Sequence, residues 1–217
     1  MPGSTTRIIK STIVSGSKFA SILITLMQII NDMGIVNDSL RDWSNTNDRR
    51  RVGRKGGARA FFSRVQMAYA HEALLLIDKI RTSDEMKAEV EKCEQKTRDC
   101  FTAVCKFFDT EDYKKLLRIR NNVGFHYDAK LGERAIKEIV ENLPEDMSSM
   151  TLGSDPLDWY FELGDKATER VVVRHIFGLP EGADIGKESD AIAGRIFDMS
   201  EKLAEFAGYF IWETTRR

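Results

Sequence analysis

Arg120-Asn121-Asn122-Val123-Gly124-Phe125-His126-Tyr127-Asp128 sets a permanent cation six positions ahead of a titratable imidazole. An arginine stays protonated at any working pH and presents a planar fork of donors to an oxyanion. A histidine gives and takes protons near neutrality. The pair therefore has the means to hold developing negative charge and to move a proton. Spacing alone is a weak signal, because His71 trails Arg64 and His175 trails Arg170 at similar intervals, so all three histidines follow an arginine. Two features single out the third pair. Asn121 directly follows its arginine, where the other two pairs have Val65 and Val171, and the stretch sits on a helix with its own start signal.

That start signal is Thr110, an N-cap residue followed by Glu111 and Asp112 in the first turn, where acids favour a helix. Upstream, apolar residues at helical spacing predict helices over residues 18–43 and 58–80. Thr82-Ser83-Asp84-Glu85 reads as a capping box opening one long helix to about Phe108. Met86, Val90, Cys93, Thr97, Cys100, Val104 and Phe107 form its seam. A further helix over 131–142 stops before Pro144. Residues 145–165 read as a loop in which Trp159-Tyr160-Phe161 is open between a short strand and an apolar plug. Residues 166–177 are open as well: Val171-Val172-Val173 favours a strand, while Gly178 and Pro180 look like a helix stop. A last helix spans 189–214, with Ile192, Ile196, Met199, Leu203, Phe206 and Phe210 on one side. Residues 1–17 are open between a loose end and a packed arm.

The whole is an all-α chain of 217 residues, long enough for one domain with a real core. On a regular helix, at about 100° per residue, Arg120 and His126 lie about 60° to either side of Val123. Both then border an apolar stripe holding Leu116, Ile119 and Tyr127. This predicts that the helix packs on its own copy across a two-fold axis near Val123, bringing Arg120 of one subunit toward His126 of the other. Glu72 falls on the inward side of its helix, and a buried carboxylate needs a cationic partner. It is a candidate to orient Arg120, or equally a core ion pair.

The formal net charge of −1 excludes a wholesale basic field, but Arg49, Arg50, Arg51, Arg54, Lys55 and Arg59 crowd one short glycine-containing loop. This is a candidate RNA-binding patch; a solvated linker is the other reading. Gly53-Arg54-Lys55-Gly56-Gly57 lacks the spacing of a nucleotide-binding phosphate loop. No His/Cys cluster has a metal-ligand spacing, so no metal or other cofactor is expected. Cys93, Cys100 and Cys105 read as core thiols in a reducing compartment. The apolar run 19–30, interrupted by Ser21, Thr25 and Gln28, is shorter than a bilayer requires. A cytoplasmic location with no membrane partner is the expectation.

The stretch Arg-Asn-x-x-Gly-Phe-His-Tyr-Asp at 120–128, on a capped helix after a long bundle helix, resembles the HEPN superfamily. In these helical-bundle proteins the motif is Arg, a polar residue often Asn, a short spacer and His. The resemblance covers residues 18–143 and implies a HEPN-like up-and-down bundle; residues 144–217, which it does not explain, are read as a C-terminal extension packed on it. It further implies a metal-independent endoribonuclease working as a homodimer. His126 would act on a ribose 2′-hydroxyl or the leaving 5′-oxygen, Arg120 would hold the phosphate, and Asn121 would orient one of them. Glu72 and Tyr127 are candidate supporting residues. Such proteins often serve as toxins or defence nucleases, sometimes restrained by an antitoxin or nucleotidyltransferase-like partner. The same residues also suit a non-catalytic RNA- or partner-binding module of this fold, with Arg120 and His126 in a polar network with Glu72 or Asp128.

Overall fold

A computed structural model describes residues 6–8, 10–124, 129–155, 158–180 and 182–216. His126 and Tyr127 lie outside the described residues, as does Asp128. In chain order the helices are α1 (Ser11–Ser15), α2 (Ala20–Asn45), α3 (Arg49–Val52), α4 (Lys55–Thr82), α5 (Asp84–Glu91), α6 (Gln95–Phe107), α7 (Glu111–Ile119), α8 (Ala129–Asn142), α9 (Glu162–Arg170) and α10 (Ile185–Thr214). Arg120–Gly124 extends α7 as a π-helix, and Val171–Ile176 extends α9 in the same way. Two-residue strands β1 (Met150–Thr151) and β2 (Tyr160–Phe161) pair antiparallel, Met150 opposite Phe161. The architecture is an all-α helical bundle.

Helical spacing of apolar residues makes the core. Leu23, Leu26, Ile29 and Met33 of α2 face Ala70, Leu74 and Ile77 of α4 in the most extensive helix pairing of the fold. Ile196, Leu203, Phe206 and Phe210 of α10 are fully buried in the same cluster, against α6, α2 and α4. Each such side chain contributes roughly 1.5–3 kcal/mol relative to an exposed one. α10 is thus integral to the bundle. α2 runs well beyond the apolar stretch marked in the sequence, and at 26 residues it has the length and apolarity of a membrane span. Its apolar stripe is nevertheless spent on the core. At the N-terminus, the Arg7 guanidinium lies 4.4 Å from the Trp212 ring centre and donates to the Trp212 carbonyl, pinning an arm to the end of α10.

Two local expectations change, and one reading left open is decided. The long helix expected to reach Phe108 is two, broken at Lys92, Cys93 and Glu94 without glycine or proline. Partners from outside stabilise the break. Glu213 of α10 accepts from the Glu94 amide (2.8 Å) and the Thr97 hydroxyl (2.5 Å), while Arg98 donates to the Glu91 and Cys93 carbonyls. The seam from Met86 to Phe107 stays buried through the break. The capping box is a simple cap: Ser83 accepts from the Met86 amide, and Glu85 pairs with Lys18 instead. The valine run is helical, because burial of Val171, Val173 and Ile176 outweighs its strand preference. It ends at Gly178, whose φ of 71° is a left-handed stop.

Candidate functional site

Thr110 opens α7, its hydroxyl oxygen accepting from the Tyr113 amide. Leu116 and Ile119 are fully buried and fix the roll of the helix. Asp112 anchors its first turn to α10, accepting from Arg195 Nε at 2.7 Å and Nη2 at 3.2 Å. The Arg195 guanidinium holds the Asp112 carboxyl below the usual carboxylate range, against the upward push of burial.

At Arg120 the helix loosens to i→i+5 hydrogen bonding, a feature that recurs at functional positions. At the junction Asn122 Nδ2 donates to Arg118 O at 2.8 Å. A π-turn advances less per residue than an α-turn, so the placement of Arg120 at 60° from Val123 does not carry over.

The turn delivers Arg120 to α4. Its Nε donates to Glu72 Oε1 at 2.8 Å and its Nη1 to Asn121 Oδ1 at 3.2 Å. Glu72 is less buried than the inward position implied: its side chain is 35% exposed and that of Arg120 is 41% exposed. An ion pair this wet adds only about 0–1 kcal/mol. Its consequence is orientation, with two guanidinium nitrogens held and the group still open to solvent. Arg120, Asn121 and Glu72 are therefore brought together.

Sequence reasoning set His71 aside with its decoy arginine. The structure places it next to this group: it is 3% exposed, with its ring stacked on Tyr113 at 6.1 Å between centres. Among the described residues neither ring nitrogen has a hydrogen-bond partner. Burial lowers its pKa; Glu72 opposes that shift and Arg120 adds to it, so the ring is neutral at pH 7. The missed signal was its adjacency to Glu72 on α4. His175 instead lies 3.0 Å from Glu138 of α8.

The basic run forms a second group at the start of α4. It is not a plain loop, since Arg49, Arg50 and Arg51 lie in α3, and Lys55 and Arg59 in the first turns of α4. Arg51 lies over the Trp43 ring at 5.1 Å and Arg54 over Tyr160 at 5.5 Å. Arg59 pairs with Asp190 at 3.1 Å in the open. A cleft of about 580 Å³ between α4 and α10, lined by Arg59, Arg64 and Phe177, contains none of Glu72, Arg120 or Asn121. Among the described residues no group of three or more His, Cys, Asp or Glu is placed to hold a metal ion.

Fold and geometry define the class as a helical bundle carrying a half-exposed, pre-oriented arginine on a π-turn. No family model, curated protein or solved structure matches the chain significantly.

Proposed function

We propose that this chain is a HEPN-type, metal-independent endoribonuclease that acts as a homodimer through the helix carrying Val123. One observation carries the reading: the Arg120 guanidinium is fixed from one side by Glu72 and Asn121 and remains 41% exposed. A cation prepared in this way can meet a phosphate without reorganising, which is what transition-state stabilisation requires. In the proposed reaction a ribose 2′-oxygen attacks the adjacent phosphorus as His126 takes its proton. The P–O5′ bond breaks, and the leaving oxygen takes a proton from solvent water, giving a 2′,3′-cyclic phosphate and a 5′-hydroxyl, while His126 releases its proton to solvent. Arg120 neutralises the charge that builds on the phosphoryl oxygens, and Tyr127 supports the site. A cytoplasmic toxin or defence nuclease, held in check by an antitoxin or nucleotidyltransferase-like partner, is the setting this implies.

The pairing of Arg120 with Glu72 also favours a second reading, in which the cation is structural and the fold binds RNA or a partner without cutting. Incubation with mixed RNA in excess EDTA separates the two. Cleavage leaving cyclic phosphate, lost in both Arg120→Ala and His126→Ala, is the expected result. Intact RNA with folded dimers of all three proteins would overturn the nuclease reading.

A further inference from the structure

The start of α4 carries more than charge. Residues 44–63 hold Arg49, Arg50, Arg51, Arg54, Lys55 and Arg59 against a single acid, Asp48, in a chain whose net charge is −1. Two of the cations, Arg51 and Arg54, meet aromatic rings, and the rings of this region come from three parts of the fold: Trp43 from α2, Phe61 and Phe62 from α4, and Tyr160 from β2. The Arg51 guanidinium lies over the Trp43 ring and that of Arg54 over the Tyr160 ring, 5.1 and 5.5 Å from their centres. Phe61 is 44% exposed and set edge-on to Phe62 at 5.1 Å, so one ring face is open to a ligand. Between them lies a cleft of about 220 Å³, lined by Trp43, Arg54, Phe61, Phe62 and Asp165, of a size to take one unstacked base. α9 closes tightly over its floor: a Cβ on Gly57 would fall 1.8 Å from Asp165 Oδ2.

We infer that this surface is a single-strand RNA platform, in which Phe61 and Trp43 stack bases and Arg51 and Arg54 hold the phosphates between them. Interleaved arginines and rings suit a single strand, because every base has a π-face to stack and the guanidinium groups track the backbone. A duplex hides its base faces and gains only the charge. The choice of RNA rests on the ribonuclease reading above and gives that site its substrate class. On a regular helix, Phe61 and Glu72, eleven residues apart, lie about 16 Å apart along α4 and within about 20° of one face. The platform and the Glu72–Arg120 pair thus share one face of α4, within reach of a single strand.

The test measures binding of a labelled 12-mer oligouridylate to the full chain carrying Arg120→Ala, so that no cutting intervenes. Adding Phe61→Ala should weaken binding about 5- to 150-fold, the range for loss of one stacked base. Phe61→Trp should restore it. Arg51→Gln with Arg54→Gln should lower the log–log salt slope by about 1.4, for two single-strand phosphate contacts. Circular dichroism checks that each variant folds. Equal affinity for a 12-base-pair duplex, unchanged binding by Phe61→Ala, or displacement by poly-glutamate at equal charge would overturn the platform. Failures of the two ideas differ. Tight, ring-dependent binding by a chain whose parent never cuts removes the ribonuclease alone, whereas cutting by the parent with Phe61→Ala binding normally removes the platform alone.

Discussion

Glu72→Ala separates orientation from stability. The substitution deletes the 2.8 Å contact to Arg120 Nε and leaves Asn121 as the remaining hold on the guanidinium. Both partners are well over a quarter exposed, so solvent screens the pair and fills the vacated site. The expected loss in folding stability is therefore about 1 kcal/mol or less. The effect on cleavage should be far larger, because a displacement of about 1 Å in a catalytic group costs on the order of 100-fold. Urea unfolding gives the first quantity, and initial rates of EDTA-resistant RNA cleavage give the second. Glu72→Gln retains an oxygen acceptor for Arg120 Nε and should fall between parent and alanine in rate. A stability loss of about 3 kcal/mol or more would mark a buried ion pair whose rupture strands a charge, contrary to the exposure of these groups. An unchanged cleavage rate would equally refute a positioning role.

Two further outcomes follow from the same geometry. Burial depresses the pKa of His71, so the unfolded chain binds the proton more readily. Stability from this residue is complete above the ordinary value of 6.5 and is lost as the pH falls below it, at no more than about 1.4 kcal/mol per pH unit. Unfolding midpoints at pH 7.5 and 5.5 should converge in His71→Phe relative to the parent, and an identical pH response in both would contradict the assignment. Leu203→Ala, at a fully buried position of α10, should cost about 2–5 kcal/mol in a urea titration. A loss below about 1 kcal/mol would show that α10 is not integral to the bundle.

How much of the site was legible in the sequence depends on the range of the interaction concerned. Thr110 was readable as a cap because its partner, the Tyr113 amide, is three residues away. Arg120 and Asn121 were readable for the same reason, as neighbours with a local signature. Glu72 was suspected on its position within α4, but its choice of Arg120, 48 residues on, is made by the packing of α7 on α4. His71 was passed over because its arginine in sequence, Arg64, is not its arginine in space. The basic run was visible as charge, while the rings that order it come from Trp43 and Tyr160, the latter some hundred residues away.

The sequence by itself determined the helical class, the long helices α2, α4 and α10 with their inward faces, and the cap of α7. Each rests on periodicity or on a backbone preference acting within a turn or two. Only the tertiary structure decided where the α5–α6 break falls, that the valine run is helical, that α7 loosens into a π-turn at Arg120, and which carboxylate meets that arginine. In each of these the local preference is worth a few tenths of a kcal/mol to about one. A burial or a partner arriving from another helix outweighs it.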